Sequence, residues 1–243
     1  MGLIDPELLL RAYSIGVFPM ADSRDAAEVF WVEPRRRAIL PLDGFRLSRS
    51  LRKTLRSGRF EVTRDAAFGE VVRRCSERDE TWINGEIEKS YVRLHELGHA
   101  RSIECWCDGV LVGGLYGVAL GAAFFGESMF SSATDASKVA LAWLVARLRV
   151  GRYRLLDCQF MTDHLRSLGA VEISQQDYLA LLESALALGA PPAAGAGDAA
   201  AGRRARVAVD FGALDALLPA DSAGTVDSPA SGCFIAQLLG VTS

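Results

Sequence analysis

Residues 111–131, LVGGLYGVALGAAFFGESMFS, constrain the fold of this chain most. The stretch is apolar, broken by glycines, and carries one charge, Glu127. Its charge-free part, 110–125, is shorter than the ~20 apolar residues a helix needs to cross a bilayer, and four glycines interrupt it. Strands fit better. Asp108-Gly109 is a type I′ turn signal, because both central residues of that turn need positive φ. It joins a strand over 102–107 to one that starts at Val110. Gly113-Gly114 marks a bulge or the close approach of another backbone. Residues 122–125 form a second apolar run that delivers Glu127. A buried strand pair ending on one carboxylate is a candidate reaction centre. On residue types alone, a hairpin core with a chance acid at its end fits equally well.

The 243 residues, half of them hydrophobic, suit one large domain or two small ones with a sizeable core. Net charge is −3, which excludes a generic polyanion binder. The charge is unevenly spread. Between Arg35 and Arg59 nine basic residues face one acid, Asp43, a local charge of +8 that leaves −11 for the rest. Such asymmetry points to a local polyanion site, for which Arg46, Arg49, Arg52, Lys53 and Arg56 are candidate phosphate ligands. A solvated face is the other reading. The five cysteines have no metal-binding spacing, and the N-terminus carries acids where a secretory signal carries Lys or Arg. Both features predict a reduced, cytoplasmic protein that neither enters a membrane nor needs a metal.

Along the chain, Asp5-Pro6 caps a first helix that Gly16 ends. Pro34 to Arg37 reads as a junction, and 48–55 as a short basic helix. A strand is predicted over 60–63 and helices over 66–75 and 87–97, the second closed by Gly98. Thr81-Trp82-Ile83 is a loop. After Ser131 an amphipathic helix is predicted over 136–149, then a strand over 154–159 and a helix capped by Thr162. A strand at 171–173 and a last helix to about residue 188 follow. Residues 190–206 are rich in Ala, Gly and Pro and read as a low-complexity linker. Apolar character returns at 207–218 and 234–239, which predicts a tail that docks back. Hairpin strands beside strand–helix–strand units predict an α/β (α+β) protein with a mixed sheet.

Several patterns carry chemistry. His95-Glu96-Leu97-Gly98-His99 matches the zinc pattern H-E-x-x-H, but Gly98 lies at the expected helix end, so a structural turn is preferred to a zinc site. Asp157 and Gln159 lie two apart on a strand and so face the same way. They form a hydrogen-bonded functional pair or a strand-end cap. Trp31 and Trp82 are loop aromatics, able to stack on bases or to plug the core. No phosphate-binding G-x-x-x-x-G-K, no G-x-S-x-G elbow and no acyl-CoA pyrophosphate loop is present.

Taken together, AYSIGVFP (12–19), FWVEPRRRAIL (30–40), TWI (81–83), LHELGHARSIE (94–104), LVGGLYGVALG (111–121), FGESMFSSATDASKVAL (125–141) and LDCQFMTDHLRSLGA (156–170) are specific. The chain resembles the bacterial leucyl/phenylalanyl-tRNA–protein transferases over about residues 8–182. The resemblance implies a small N-terminal domain (1–36), an N-acetyltransferase-like catalytic domain (37–189) and a linker with a tail (190–243). It implies transfer of Leu or Phe, and less well Met, from aminoacyl-tRNA to the α-amino group of proteins that begin with Lys or Arg. The product is a degradation signal, and the enzyme a cofactor-free monomer. The implied catalytic residues are Glu127, Asp157 and Gln159. Trp82 would stack on the terminal adenosine of the tRNA. A Trp that some members carry for the same contact is Met20 here. The implied aminoacyl pocket is Leu115, Phe124, Met129 and Leu156. HELGH belongs to the family pattern and no zinc is associated with it.

The chemistry suits such residues. An aminoacyl ester is already activated, so aligning an amine with its carbonyl and helping the amine lose a proton suffice. The rival enzyme is an acyl-CoA N-acetyltransferase, and the non-enzymatic rival is an RNA-binding module that uses the basic segment.

Overall fold

The computed structural model describes residues 2–78, 80–189, 208–218 and 229–240. In chain order these form α1 (Pro6–Ser14), β1 (Phe18–Met20), β2 (Phe30–Val32), β3 (Arg36–Ile39), α2 (Arg49–Arg56), β4 (Glu61–Arg64) and α3 (Phe68–Ser76). Then come α4 (Gly85–Glu96), β5 (Ala100–Cys107), β6 (Val110–Leu120), β7 (Ala123–Ser131), α5 (Ala136–Val150) and β8 (Leu155–Gln159). The chain continues with α6 (Asp163–Ser167), β9 (Val171–Ser174), α7 (Gln175–Gly189) and α8 (Pro229–Leu238).

Local chemistry explains most of the boundaries. The Asp5 carboxylate accepts from the Leu8 N–H at 3.0 Å, with Pro6 at the first helical position of α1. Ser48 and Thr162 cap α2 and α6 in the same way. Asn84 caps α4 by accepting from the Ile87 N–H, so that helix starts at Gly85, two residues before the predicted start. Asp108 and Gly109 both have positive φ, as a type I′ turn requires, and they join β5 to β6.

A seven-stranded sheet runs in the order β4-β5-β6-β7-β8-β3-β9, and β1 and β2 form a separate hairpin. Among the seven, only β7 and β8 pair in parallel, so the sheet is mixed, as expected. A parallel neighbour needs a long crossover, and α5 provides it. The expectation of an amphipathic helix there is corrected: α5 is buried continuously from Val139 to Leu148. It passes through the core between the sheet and the chain's C-terminal segments, and a helix covered on all sides has no polar face. The junction reading at 34–37 is also corrected, since Arg36 opens β3.

Two apolar clusters lie on opposite faces of the sheet. Leu115, Phe124 and Leu156 belong to the cluster around α5, while of the next residues along two of those strands Tyr116 packs on Phe68 of α3 and Tyr91 of α4, and Phe125 on Tyr13 of α1. Strand alternation sorts them. Each such fully buried side chain contributes ~1.5–3 kcal/mol of transfer free energy. The predicted linker 190–206 lies outside the described residues. The tail docks as expected: Phe211, Leu214, Ile235, Ala236 and Leu239 are buried in the α5-side cluster.

Candidate active site

Glu127 owes its position to a bulge. Along β6 and β7, Tyr116 faces Ser128 and Gly117 faces Gly126, which leaves Glu127 as the extra residue. A bulge bends its strand and re-aims a side chain. Gly117 permits it, because a Cβ there would stand 2.2 Å from the Phe125 carbonyl oxygen. Glu127 is 7% exposed. Its carboxylate accepts from the Tyr13 hydroxyl at 2.7 Å, the Tyr91 hydroxyl at 3.0 Å and the Gln159 Nε2 at 2.8 Å. The two tyrosine hydroxyls also touch each other. Burial pushes the Glu127 carboxyl up to about 7, against the pull of its three donors, and Asp157 adds to the rise.

Asp157 lies behind this cluster and is fully buried. Arg37 grips it through Nε at 3.0 Å and Nη2 at 2.6 Å, and the Tyr178 hydroxyl donates to it at 2.8 Å. The Arg37 guanidinium is stacked between Phe18 and Tyr178 and also donates to the Gly16 carbonyl. Asp157 accepts from the backbone N–H of Gln159 at 2.8 Å, not from its side chain as the two-residue spacing suggested. The reason is the strand end. Gln159 has φ +58°, which turns its amide away from the strand face and onto Glu127. With Nε2 on Glu127, the amide oxygen is the group left to accept from a ligand. Arg37, counted above with the basic surface, is interior.

The pairing of β7 with β8 ends at Phe125 and Asp157, and beyond it the strands diverge. A cavity of about 710 Å³ fills the gap. Glu127, Met129 and Gln159 line it, with Leu115, Leu141 and Leu156 as apolar wall and Trp82 and Phe160 also on its boundary. Two buried polar atoms on its lining, Tyr116 Oη and His164 Nε2, have no protein hydrogen-bond partner among the described residues. Burial, with Lys138 adding to it, lowers the His164 pKa. The Trp82 loop is fixed by the N-terminal segment: the Ala21 N–H donates to the Trp82 carbonyl at 3.0 Å and Arg24 to the Ile83 carbonyl at 3.1 Å.

Of the expected site residues, Glu127, Gln159, Trp82, Leu115, Met129 and Leu156 share this cavity, whereas Phe124, Met20 and Asp157 do not line it. Phe124 is corrected from pocket to core. It points to the opposite face from Phe125 and stacks on Phe211 of the docked tail at 5.6 Å. Met20 sits in β1 opposite Phe30. Trp31 is also in the hairpin strand β2 and not in a loop. Arg49, Arg52, Lys53 and Arg56 border one shallow groove, and Arg46 lies apart from it. Tyr13, Tyr91, Tyr178 and Arg37 are the site residues missed in sequence. Tyr13 and Arg37 sit inside the motifs quoted above, but no spacing rule links them to Glu127 or Asp157.

His95 and His99 are not on one helix face. Helix α4 ends at Glu96, Gly98 has φ +83°, and His95 stacks on Phe68 while contacting the Ala100 carbonyl through Nδ1. Among the described residues no group of three or more His, Cys, Asp or Glu is placed to hold a metal ion. No helix there is long and apolar enough to cross a membrane.

A mixed-sheet α/β fold with a buried carboxylate and amide at the mouth of an apolar cavity defines an α/β enzyme whose site opens where two parallel strands part. Comparison with known proteins makes this specific. The profile for the leucyl/phenylalanyl-tRNA protein transferase matches residues 39–183, and that for its N-terminal domain matches residues 2–35. The chain therefore belongs to the leucyl/phenylalanyl-tRNA protein transferase family and is an aminoacyltransferase. A relative of that name from Rhizorhabdus wittichii is 64% identical over 248 aligned positions and all of both chains. One from Zymomonas mobilis is 61% identical over 189 positions, 76% of this chain and 70% of the relative. Among solved structures, FemX has a TM-score of 0.48 at 14% identity, covering 73% of this chain and 71% of its own.

Proposed function

We propose that this chain moves Leu or Phe, and Met less well, from aminoacyl-tRNA to the N-terminal α-amine of proteins that begin with Lys or Arg, marking them for degradation in the cytoplasm. One observation carries the reading: the buried carboxyl of Glu127 and the side-chain amide of Gln159 are hydrogen-bonded to each other and line one largely apolar cavity. The acceptor nitrogen, hydrogen-bonded to the Gln159 oxygen, attacks the ester carbonyl. The bond to the ribose oxygen breaks, and that oxygen takes up a proton while the nitrogen loses one. Glu127, poised near pH 7, takes part in this exchange and offers negative charge to a cationic acceptor. Asp157 is charge-compensated by Arg37 and set behind the cavity, so it is a positioning residue that fixes the backbone of Gln159. Leu115, Met129 and Leu156 receive the aminoacyl side chain. Trp82 stacks on the terminal base of the donor. The cationic groove of α2 holds phosphates further along the tRNA. The five free cysteines suit a reducing compartment.

The deciding experiment offers labelled Leu-tRNA or acetyl-CoA to a peptide that begins with Arg. Label moves from the tRNA only. Acetyl transfer, or tRNA binding without transfer of label, defeats the reading. Gln159→Ala lowers turnover at least tenfold with little change in melting temperature.

A further inference from the structure

We infer that Phe160 is a second base-stacking wall of the donor site, facing the same cavity as Trp82; the inference rests on the function proposed above. Phe160 is a large aromatic left 48% exposed. It borders the cavity on the β8 side, and Trp82 borders it as well. Elsewhere along the cavity the apolar walls are buried, as Leu115 and Leu156 are. A half-exposed phenyl ring at a cavity rim forgoes burial unless a ligand covers it.

The ring is also held in place. Its edge packs on Phe18 at 5.9 Å with an interplanar angle of 78°. Phe18 in turn lies under the Arg37 guanidinium, which is fixed by Asp157. Phe160 follows Gln159, whose left-handed backbone directs the amide to Glu127. A base resting on Phe160 therefore sits next in sequence to the group that receives the amine. Met20 pairs with Phe30 in the hairpin and does not line the cavity. Phe160 and Trp82 are the two aromatic residues, besides Tyr116 and Phe130 on the strands, that the cavity lining offers to a planar ligand. The ligand is a planar nucleobase, the terminal adenine of the donor, and not the aminoacyl side chain, for which Leu115, Met129 and Leu156 provide the lining.

Steady-state kinetics with Leu-tRNA and an Arg-starting peptide test this. Loss of one stacking face raises KM for Leu-tRNA about tenfold. Phe160→Ala shows that rise with kcat within twofold of the parent. Phe160→Trp restores the parental KM. Phe160→Leu keeps apolar contact with Phe18, retains the parental melting temperature, and still shows the raised KM. An unchanged KM in the Leu variant, or a fall in kcat with KM unmoved, overturns the inference. If Phe160→Ala unfolds, the Leu and Trp variants decide. If the parent enzyme transfers nothing from Leu-tRNA, the proposed function fails instead, before any variant is read.

Discussion

Glu127 is a buried acid held by neutral donors, and its proton is tied to the stability of the fold. Its folded pKa, about 7, lies above the ordinary 4.5, so between these values the folded chain binds more protons than the unfolded one. The stabilisation is fully present below pH 4.5 and is lost as pH rises through 7. The shift corresponds to on the order of 3 kcal/mol at most. Melting temperature should therefore fall from pH 5 to pH 8 in the parent, while Glu127→Gln, which keeps the shape without the charge, should lack that component. Parallel pH slopes for the two proteins would contradict the assignment. Arg37 and Asp157 form the opposite case, a buried ion pair with full partners. Removing one partner strands the other, which costs ~3–5 kcal/mol, so Asp157→Asn and Arg37→Ala should both lower stability by about that much in chemical denaturation. Because they remove the same interaction, the double variant should lose much less than the sum. Additive losses would mean that each residue is held by something else.

At the scale of elements, β6 and β7 explain both what was legible in the sequence and what was not. Asp108-Gly109, the glycines and the lone acid marked the β5–β6 hairpin and Glu127 because local rules suffice: a type I′ turn favours Asp-Gly, and a strand pair buried on both faces is apolar throughout. Which face each side chain takes was not legible. A bulge shifts the alternation by one residue, and only the pairing of Tyr116 with Ser128 and of Gly117 with Gly126 reveals it. The same limit applied to Phe124, whose partner Phe211 comes from the far end of the chain. Arg37 was hidden because a charge run in sequence does not show which member turns inward. Met129, two residues past the bulge, lines the cavity, so Met129→Phe should fill the proposed aminoacyl pocket. Transfer of Phe should then fall several-fold more than transfer of Leu in paired kcat/KM measurements. Equal losses would remove Met129 from the pocket. Helix α2 carries its cations in one groove, and among the described residues Arg49, Arg52, Lys53 and Arg56 form no ion pair with an acid. Replacing Arg49, Arg52 and Lys53 with Ala should weaken tRNA binding. Its log–log salt slope should shrink by ~0.9 for each duplex phosphate that is no longer neutralised. An unchanged slope would place the phosphates elsewhere.

The whole molecule ties the basic helix to the end of the chain. Helix α8 lies on α2 so closely that a Cβ at Gly232 would stand 1.9 Å from the Leu55 carbonyl oxygen. Ile235, Ala236 and Leu239 join Leu51, Leu55 and Trp143 in one core cluster. Arg149 on α5 donates to the carbonyls of Leu42 at 2.7 Å and Leu238 at 3.3 Å, linking the stretch before α2 to the end of α8. The cations of α2 are thus presented on a helix whose apolar side is closed by the tail. The cavity shares no lining residue with α2 or α8. Loosening α8 should therefore separate tRNA affinity from the chemical step. Ile235→Ala removes a buried side chain and should cost ~2–5 kcal/mol of stability. At a temperature where the variant stays folded, KM for Leu-tRNA should rise several-fold while kcat stays within about twofold, because a mobile α2 weakens binding without moving Glu127 or Gln159. Measuring both constants at low and high salt checks the cause, since the KM difference should shrink as salt screens the phosphates. A fall in kcat with KM unchanged would instead show that the tail supports the reaction centre through α5.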